Sequence, residues 1–209
     1  MRNADGVRNL HKIIGDEQHL LVIVSAMGKT TNALERVFAC LRRDDRAEAG
    51  AEIAALRDYH ASITTDLWHG PVALERVEAL FAELEELVRQ TAYRAEDAEL
   101  WYDRIVAYGE LLSTTIVSEY LNHVGLRNRW IDMRRCFLTE QRHKDAGVDI
   151  EASTPLLRAA VEGAGVSVFV GQGFIGAAPD GTTTTLGREG SDYSAAVAAH
   201  ILDAESMAV

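Results

Sequence analysis

The chain has 209 residues, of which 47% are apolar and 25% are charged, and its formal net charge is −11. This length suits one domain, or one domain with a large subdomain, and it allows a substantial core. The acidic balance, without a basic stripe, argues against a general nucleic-acid or membrane-surface binder but leaves room for a local cationic pocket. No apolar run approaches the roughly 20 residues of a membrane span. The N-terminus also lacks the apolar core of a signal peptide, so we expect a cytoplasmic protein.

The first elements predicted along the chain are a helix, a strand and a second helix. Residues 3–15 form an amphipathic pattern that ends near Gly15, with one face made of Val7, Leu10, Ile13 and Ile14. The run HLLVIVSA (19–26) is continuous and rich in β-branched residues, which is typical of a strand covered on both faces in a parallel sheet. The chain then turns at Gly28 into a helix whose apolar spacing is carried by Leu34, Val37, Phe38 and Leu41.

No strand is predicted from about residue 33 to residue 120. Three segments there have the spacing of amphipathic helices: 51–68, 71–90 and 99–125. Pro71 stands at the predicted start of the second, where its missing N–H group costs nothing. This part of the chain is therefore predicted to be a large helical insertion.

Strands return after Gly125. Residues 126–132 and 166–177 are predicted strands, and APDGTTTTL (178–186) carries the Asp-Gly signal of a hairpin. A helix over 154–165 would begin with Thr154 as cap and Pro155 in its first turn, and a last helix over 191–206 has its cap residues directly before it. Strands and helices alternating on both sides of the insertion predict an α/β fold with a mainly parallel sheet.

The motif SAMGKTTN (25–32) invites comparison with a phosphate-binding loop. That loop needs a glycine five positions before its Gly-Lys pair, and this position is Ile23, inside the predicted strand. What remains is a helix N-terminus with the hydroxyls of Thr30 and Thr31, which favours anions. Simple helix capping is the leading interpretation of these residues taken alone.

Two further motifs leave alternatives open. In YGELLST (108–114), Glu110 follows Gly109 within an apolar helix, so its carboxylate is either at the surface, the leading interpretation, or buried with a cation. A glycine in mid-helix costs about 1 kcal/mol against alanine, which hints at close approach by another group. In VGQGFIGA (170–177), three glycines end a strand, so this stretch is either the wall of a ligand site or an ordinary turn.

The stretch LGREGSDY (186–193) has the richest chemistry in the chain. Arg188 offers a planar fork for a carboxylate or phosphate, and Gly187 and Gly190 allow backbone N–H groups to converge on an anion. Ser191 and Asp192 stand where a helix cap belongs. Capping explains one of these two residues but not the arginine and the glycines, so a binding site is the better interpretation.

Metal and disulfide chemistry have no support in the sequence. The seven histidines are scattered without metal spacing, and no metal site is predicted. The two cysteines, Cys40 and Cys136, are expected to be reduced core thiols. The acidic run Glu83, Glu85 and Glu86 is expected to be a solvated helix face.

Four stretches together carry a family resemblance: LVIVSAMGKTTNALERV (21–37), YGELLST (108–114), VGQGFIG (170–176) and TTTTLGREGSDYSAAVAAHIL (182–202). In this order they resemble the aspartokinases of the amino-acid kinase superfamily. The resemblance implies a sheet sandwiched between helices and ATP-dependent phosphorylation of the aspartate side chain to 4-phospho-L-aspartate, the entry to lysine, threonine and methionine synthesis.

The resemblance also assigns roles to residues. It implies that Arg188 pairs with the α-carboxylate of aspartate, that Glu110 pairs with its α-ammonium, and that Asp192 positions the catalytic lysine and the transferring phosphoryl group. The remaining substrate contacts would come from Thr31, Ser191 and the backbone around Phe174. Nucleotide or phosphate positions would be Ser25, Gly173 and Gly187.

Three departures from the family shape the expectation. The family's opening Lys-Phe-Gly-Gly-Thr-Ser strand, the later Lys/Thr-Asp-Val-x-Gly nucleotide segment and the regulatory domains have no counterpart in the chain. We therefore expect residues 1–209 to be a partial catalytic domain, with a helical subdomain over about 33–120 and negligible kinase activity alone. ATP with Mg²⁺ would serve the parent enzyme, while no cofactor would bind this chain tightly unless the missing segments were present.

Two alternatives stay open at this point. One is an amino-acid kinase for another carboxylate, such as glutamate; the other is a non-catalytic module that binds aspartate or serves assembly. The expected partner is L-aspartate, with neither nucleic acid nor membrane. A strand edge left unpaired would favour a homo-oligomer.

Overall fold

A computed structural model describes residues 1–15 and 17–209. The helices are α1 (Ala4–Ile14), α2 (Thr30–Arg42), α3 (Arg46–Leu67), α4 (Glu75–Gln90), α5 (Ala98–Val106), α6 (Tyr108–His123), α7 (Ile150–Val161) and α8 (Gly190–Ile201). The strands are β1 (Leu20–Val24), β2 (Asn128–Ile131), β3 (Val168–Gln172), β4 (Ile175–Ala177) and β5 (Thr183–Thr185). Short 3₁₀ helices lie at Ala95–Asp97 and Met133–Arg135.

The main sheet is parallel, as predicted, with β3 between β1 and β2. Val170 in β3 is the register partner of both Val22 in β1 and Trp130 in β2. The predicted hairpin is also confirmed: β4 and β5 form an antiparallel pair. Its turn contains Gly181 at a φ of 82°, a conformation that favours glycine.

The sheet lies between two helical layers because its side chains alternate between the two faces. In β1, Val22 and Val24 pack into the core formed by α1–α6, together with Val170 of β3. Leu21 and Ile23 point to the opposite face, into a second core that contains residues of α7 and α8. The predicted α/β sandwich is therefore confirmed.

The prediction that β1 is covered on both faces is confirmed, but its burial is shallower than that of β3. Four of the five residues of β1 are only partly buried. The reason is topological, since β1 is an edge strand of the three, whereas the central strand β3 is buried along its whole length.

The helical insertion is confirmed, with corrections at its boundaries. All of residues 25–127 are described, and they contain helices and connecting segments but no strand. Pro71 does not begin a helix, because α4 starts at Glu75. The single helix predicted over 99–125 is divided at Ala107 into α5 and α6. Ile13, placed on the buried face of α1, is 70% exposed.

Two boundaries after Gly125 also differ from prediction. Helix α7 begins at Ile150 rather than at Thr154, because the carboxylate of Asp149 caps it by accepting from the N–H of Ala152. Pro155 therefore lies inside the helix. The single strand predicted over 166–177 is divided into β3 and β4, which belong to different sheets.

Both cysteines are free and buried, as expected. The acidic face of α4 is solvated at Glu83 and Glu85, also as expected. Among the helices of the described ranges, none has the length and apolarity needed to cross a membrane.

Candidate functional site

A cleft of about 300 Å³ lies at the carboxyl ends of β1 and β3, where the first turns of α2, α6 and α8 meet. In parallel α/β sheets this edge is the usual place for a ligand. The cleft is lined by Ser25, Thr31, Glu110, Phe174, Gly187, Glu189, Gly190, Ser191 and Asp192. All but two of the predicted site residues are in this set; the exceptions are Gly173 and Arg188.

Glu110 is the most unusual group in the cleft, because its side chain is almost fully buried, with 3% of the residue exposed. The surface interpretation of this carboxylate is therefore wrong. Its Oε1 atom accepts a hydrogen bond of 3.1 Å from the N–H of Ala26, whereas Oε2 has no partner among the described residues. A buried carboxylate oxygen without a partner is costly, and a cation from a ligand would satisfy it.

Burial changes the protonation of Glu110. It raises the pKa of the carboxyl group to about 8, while the hydrogen bond from Ala26 acts in the opposite direction. In the free protein this group is therefore mostly the protonated acid near neutral pH. A positive charge placed beside Oε2 would favour the carboxylate and lower that pKa.

The loop between β1 and α2 is bound tightly to α6. A Cβ atom at Gly109 would lie 2.9 Å from the Cβ of Ala26, so the predicted close approach at this glycine is confirmed. The hydroxyl of Ser113 donates to the carbonyl of Ser25 over 2.8 Å. Ser113 was not predicted from the sequence, although its position three residues after Glu110 places it on the same helix face.

A buried polar network holds α6 against the sheet directly behind Glu110. The hydroxyl of Thr114 donates to the carbonyl of Glu110 over 2.7 Å. It accepts from the side-chain amide of Gln172 in β3 and from the indole N–H of Trp130 in β2. The backbone that carries Glu110 is therefore fixed relative to both strands.

The first turn of α2 forms another wall. Side-chain capping, the leading interpretation of this motif, is not found: the N-cap residue is Lys29, which makes no side-chain cap bond. The hydroxyl of Thr30 is buried without a partner in the described part of the chain, and Thr31 lines the cleft. The first N–H groups of a helix lack intrahelical acceptors, so this turn can bind an anion.

The start of α8 differs from the prediction as well. Neither Ser191 nor Asp192 is the cap; the N-cap is Glu189, in the left-handed region at a φ of 57° and without a side-chain cap bond. Its carbonyl accepts from the N–H of Asp192 over 3.0 Å. Ser191 and Asp192 lie in the first turn of the helix, where both line the cleft.

Phe174 is held in a strained backbone conformation against α8. Its φ of 66° is uncommon for a bulky residue. Its N–H donates to the hydroxyl of Ser194 over 2.9 Å, and its carbonyl accepts from the N–H of Leu186. A Cβ atom at Gly190 would lie 3.1 Å from the Cα of Phe174, so glycine permits this close packing.

Gly173 and Arg188 lie just outside the cleft. Gly173 packs beneath the first turn of α8, where an added Cβ would lie 2.7 Å from the Cα of Ser191. Arg188 is exposed and lines a neighbouring cavity of about 660 Å³, which shares Glu189 and Asp192 with the cleft. No described residue forms an ion pair with Arg188.

The ionisable side chains that line the cleft are acidic rather than basic. Three carboxylic acids line it, Glu110, Glu189 and Asp192, and no lysine or arginine does so within the described ranges. The helix N-termini supply the compensating positive potential. Within these ranges no group of three or more histidine, cysteine or acidic side chains could hold a metal ion. The arrangement is suited to a ligand that carries an ammonium group together with anionic groups.

Comparisons with known proteins agree with this geometry. The model of the amino acid kinase family matches residues 1–209. The chain is 33% identical to the lysine-sensitive aspartokinase 3 of Escherichia coli over 94% of its own length and 43% of that protein. It is 30% identical to an aspartokinase of Chlamydia trachomatis over 99% of its length and 45% of that protein.

The fold comparison gives the same result. The crystal structure of E. coli aspartokinase III in complex with aspartate and ADP superposes with a TM-score of 0.84 at 30% identity. It covers 97% of this chain and 44% of that one. The chain thus spans less than half the length of these relatives, and the resemblance predicted from its motifs is confirmed.

Proposed function

Because this chain belongs to the amino acid kinase family, we propose that its cleft binds L-aspartate for ATP-dependent phosphorylation of the aspartate side chain to 4-phospho-L-aspartate. Relatives at 30% identity and above are named aspartokinases, and one similar structure holds aspartate and ADP. The product is an acyl phosphate, formed when a side-chain carboxylate oxygen attacks the γ-phosphorus of ATP and ADP leaves.

The observation that carries the proposal is the unpartnered Oε2 atom of buried Glu110. An α-ammonium group is the cation that an amino acid brings to such an atom. On binding, the pair replaces an unfavourable buried acid with a charge-assisted hydrogen bond. The binding site would thus be selective for the amino acid over the corresponding dicarboxylic acid.

The other cleft residues would position the rest of the substrate. The hydroxyls of Thr31 and Ser191 and the backbone at Phe174 would hold the aspartate, while Asp192 would orient the groups of the phosphoryl transfer. Arg188 would bind the α-carboxylate after its exposed side chain turns from the neighbouring cavity into the cleft. Phosphoryl transfer depends mainly on such positioning and on neutralised charge.

The nucleotide would bind next to the first turns of α2 and α8, near Ser25, Gly173 and Gly187. Helix N-termini suit phosphate groups, and both of these turns face the cleft. ATP with Mg²⁺ would supply the transferred phosphoryl group and neutralise part of its charge. We further propose that the protein acts in the cytoplasm. We also propose that it assembles into a homo-oligomer through the edge of β1.

A second candidate is a module that binds aspartate without catalysis. It is favoured by the set of side chains around the cleft, which contains three carboxylic acids and no lysine or arginine in the described ranges. In this case the polypeptide of 209 residues binds aspartate but gives negligible turnover.

Calorimetry with the 209-residue polypeptide tests these proposals. We expect L-aspartate to bind, and succinate, which lacks the ammonium group, not to bind. Glu110→Gln should abolish or strongly weaken aspartate binding, while Glu119→Gln, on the same helix but outside the cleft, should not. Binding of succinate as tight as that of aspartate would refute the role of Glu110, and tighter binding of L-glutamate would point to the other substrate.

A coupled assay of ADP release then separates the two candidates. Turnover that depends on aspartate, ATP and Mg²⁺ supports the kinase. Aspartate binding without turnover, and without binding of ATP with Mg²⁺ in calorimetry, supports the non-catalytic module.

A further inference from the structure

A second buried carboxylate lies outside the cleft, in α5. Asp103 is fully buried. Its Oδ1 atom accepts from the hydroxyl of Thr185 over 2.6 Å, and its Oδ2 atom contacts His143 Nδ1 at 2.9 Å and accepts from the N–H of Lys144 over 3.0 Å. Asp103 was not predicted from the sequence, because its partners lie 40 to 82 positions away along the chain.

The partners of Asp103 belong to two segments that pack on each other. The N–H of Ala146 donates to the carbonyl of Thr185 over 3.0 Å, so the loop at 142–147 is bound to β5. Two residues after Thr185, Gly187 lies so close to this loop that an added Cβ would be 2.5 Å from the carboxylate of Asp145. Gly187 in turn lines the cleft.

A second contact joins α5 to the same loop. The ammonium of Lys144 lies 4.8 Å from the centre of the Tyr102 ring, and the Tyr102 hydroxyl donates to Glu35 in α2. Lys144 itself has a φ of 68°, an uncommon conformation that its contacts hold in place. The loop is therefore fixed to the helical insertion at both Asp103 and Tyr102.

The chemistry of Asp103 is that of a hydrogen-bond hub. Burial raises the pKa of its carboxyl group, while hydrogen bonds from Thr185, Lys144 and His143 act to lower it. A buried carboxylate contributes little to stability compared with a well-packed apolar residue. What it does provide is a fixed geometry for three donors at once.

We propose that Asp103 is a positioning residue, which holds β5 and thereby the Gly187–Asp192 wall of the cleft in the conformation that binds substrate. Asp103 acts on the wall through its hydrogen bond with Thr185, which lies two residues before Gly187 in the chain. The ligand part of this inference rests on the proposed binding of aspartate, whereas the part that concerns the wall does not.

Substitutions at Thr185 test the inference with little change of shape. Thr185→Val removes the hydroxyl and keeps the volume, and Thr185→Ser keeps the hydroxyl as the matched control. We expect Thr185→Val to weaken aspartate binding about three- to tenfold, which lies within the effect expected for residues that act through a network. Thr185→Ser should stay within about twofold of the wild type.

A purely structural role would change the melting temperature but not the affinity of the folded protein. We also expect faster amide hydrogen exchange over residues 186–193 in Thr185→Val, with unchanged exchange in α7. His143→Asn, whose side-chain amide can replace the Nδ1 donor, should resemble the wild type, and His143→Phe should resemble Thr185→Val.

Each outcome decides the inference. Wild-type affinity and wild-type exchange in folded Thr185→Val would overturn it. If the wild type does not bind aspartate, the proposed function fails, and exchange over residues 186–193 alone decides whether Asp103 positions the wall. Asp103→Asn extends the series if it folds; if it does not, the measurements on Thr185→Val are decisive.

Discussion

Glu110 should make aspartate binding strongly dependent on pH. Burial raises the pKa of its carboxyl group to about 8, so only about one-tenth of the free protein carries the carboxylate at pH 7. An ammonium group binds this minor form, and the apparent affinity scales with its fraction. That fraction rises from about 0.03 at pH 6.5 to about 0.76 at pH 8.5, so affinity should increase about 25-fold over this range.

The raised pKa of Glu110 also predicts how stability depends on pH. The free energy of unfolding should fall as pH rises, whereas the affinity for aspartate should increase. The pKa in the folded protein lies above the ordinary value of 4.5, so the acid's contribution to stability is complete below about pH 4.5 and is lost as pH rises through about 8. At pH 7 the loss is about 3 kcal/mol. Glu110→Gln cannot ionise and should therefore be more stable at pH 7 by up to about that amount while it binds aspartate poorly.

Isothermal calorimetry at pH 6.5, 7.5 and 8.5 measures the effect. In two buffers of different ionisation enthalpy, binding at pH 7 should release about 0.9 proton per site. Glu119→Gln should show the same pH dependence as the wild type, and the residual binding by Glu110→Gln should show none. An affinity that stays constant over this range, without proton release, would refute the reasoning.

Three further predictions concern stability, each measured by urea denaturation. Gly173→Ala should lower the free energy of unfolding by about 1–3 kcal/mol, because the new Cβ would lie 2.7 Å from the Cα of Ser191, which is backbone and cannot move aside. An unchanged urea midpoint would contradict this packing. His60 is buried, Nε2 has no partner in the described part of the chain, and burial lowers its pKa from 6.5. The contribution of neutral His60 to the free energy of unfolding should therefore be present above about pH 6.5 and be lost at lower pH. His60→Leu should reduce this loss of stability in acid. Asp149→Ala removes the cap of α7 and should lower the free energy of unfolding by about 1 kcal/mol, whereas Asp149→Asn should lower it less. Equal losses of stability in the two variants would argue against capping.

The strands β1 and β3 could be predicted because they lie in continuous apolar runs. β3 is buried along its length, and a short, continuous run of this kind before a glycine-rich turn is typical of a central parallel strand. The start of α7 could not be predicted in the same way, since Thr154 and Pro155 carry every local sign of a helix start. The N–H of Asp149 donates to the carbonyl of Leu138 over 2.8 Å, and this tertiary contact holds Asp149 in place as the cap of the helix.

The candidate site could also be predicted only in part from the sequence. Its residues could be assigned because their motifs resemble those of a family, and the structure brings most of them to one cleft. The burial of Glu110 could not be deduced from its helix, because the N–H group that binds it belongs to Ala26, 84 residues away. The role of Asp103 could not be deduced either, since nothing in the sequence of α5 indicates partners that lie 40 to 82 positions away.

The pairing of β1 with β3 has a consequence for how the molecule is made. Leu20 pairs with Val168, and β2 also pairs only with β3 in the described sheet, so the central strand is the last of the three to be synthesised. The helices between β1 and β2 are held by hydrogen bonds within each helix and can form earlier, whereas β1 and β2 can pair only after β3 has been synthesised. The cleft also needs α8, which follows β3, so its walls can be completed only after the helical half and the main sheet have been synthesised.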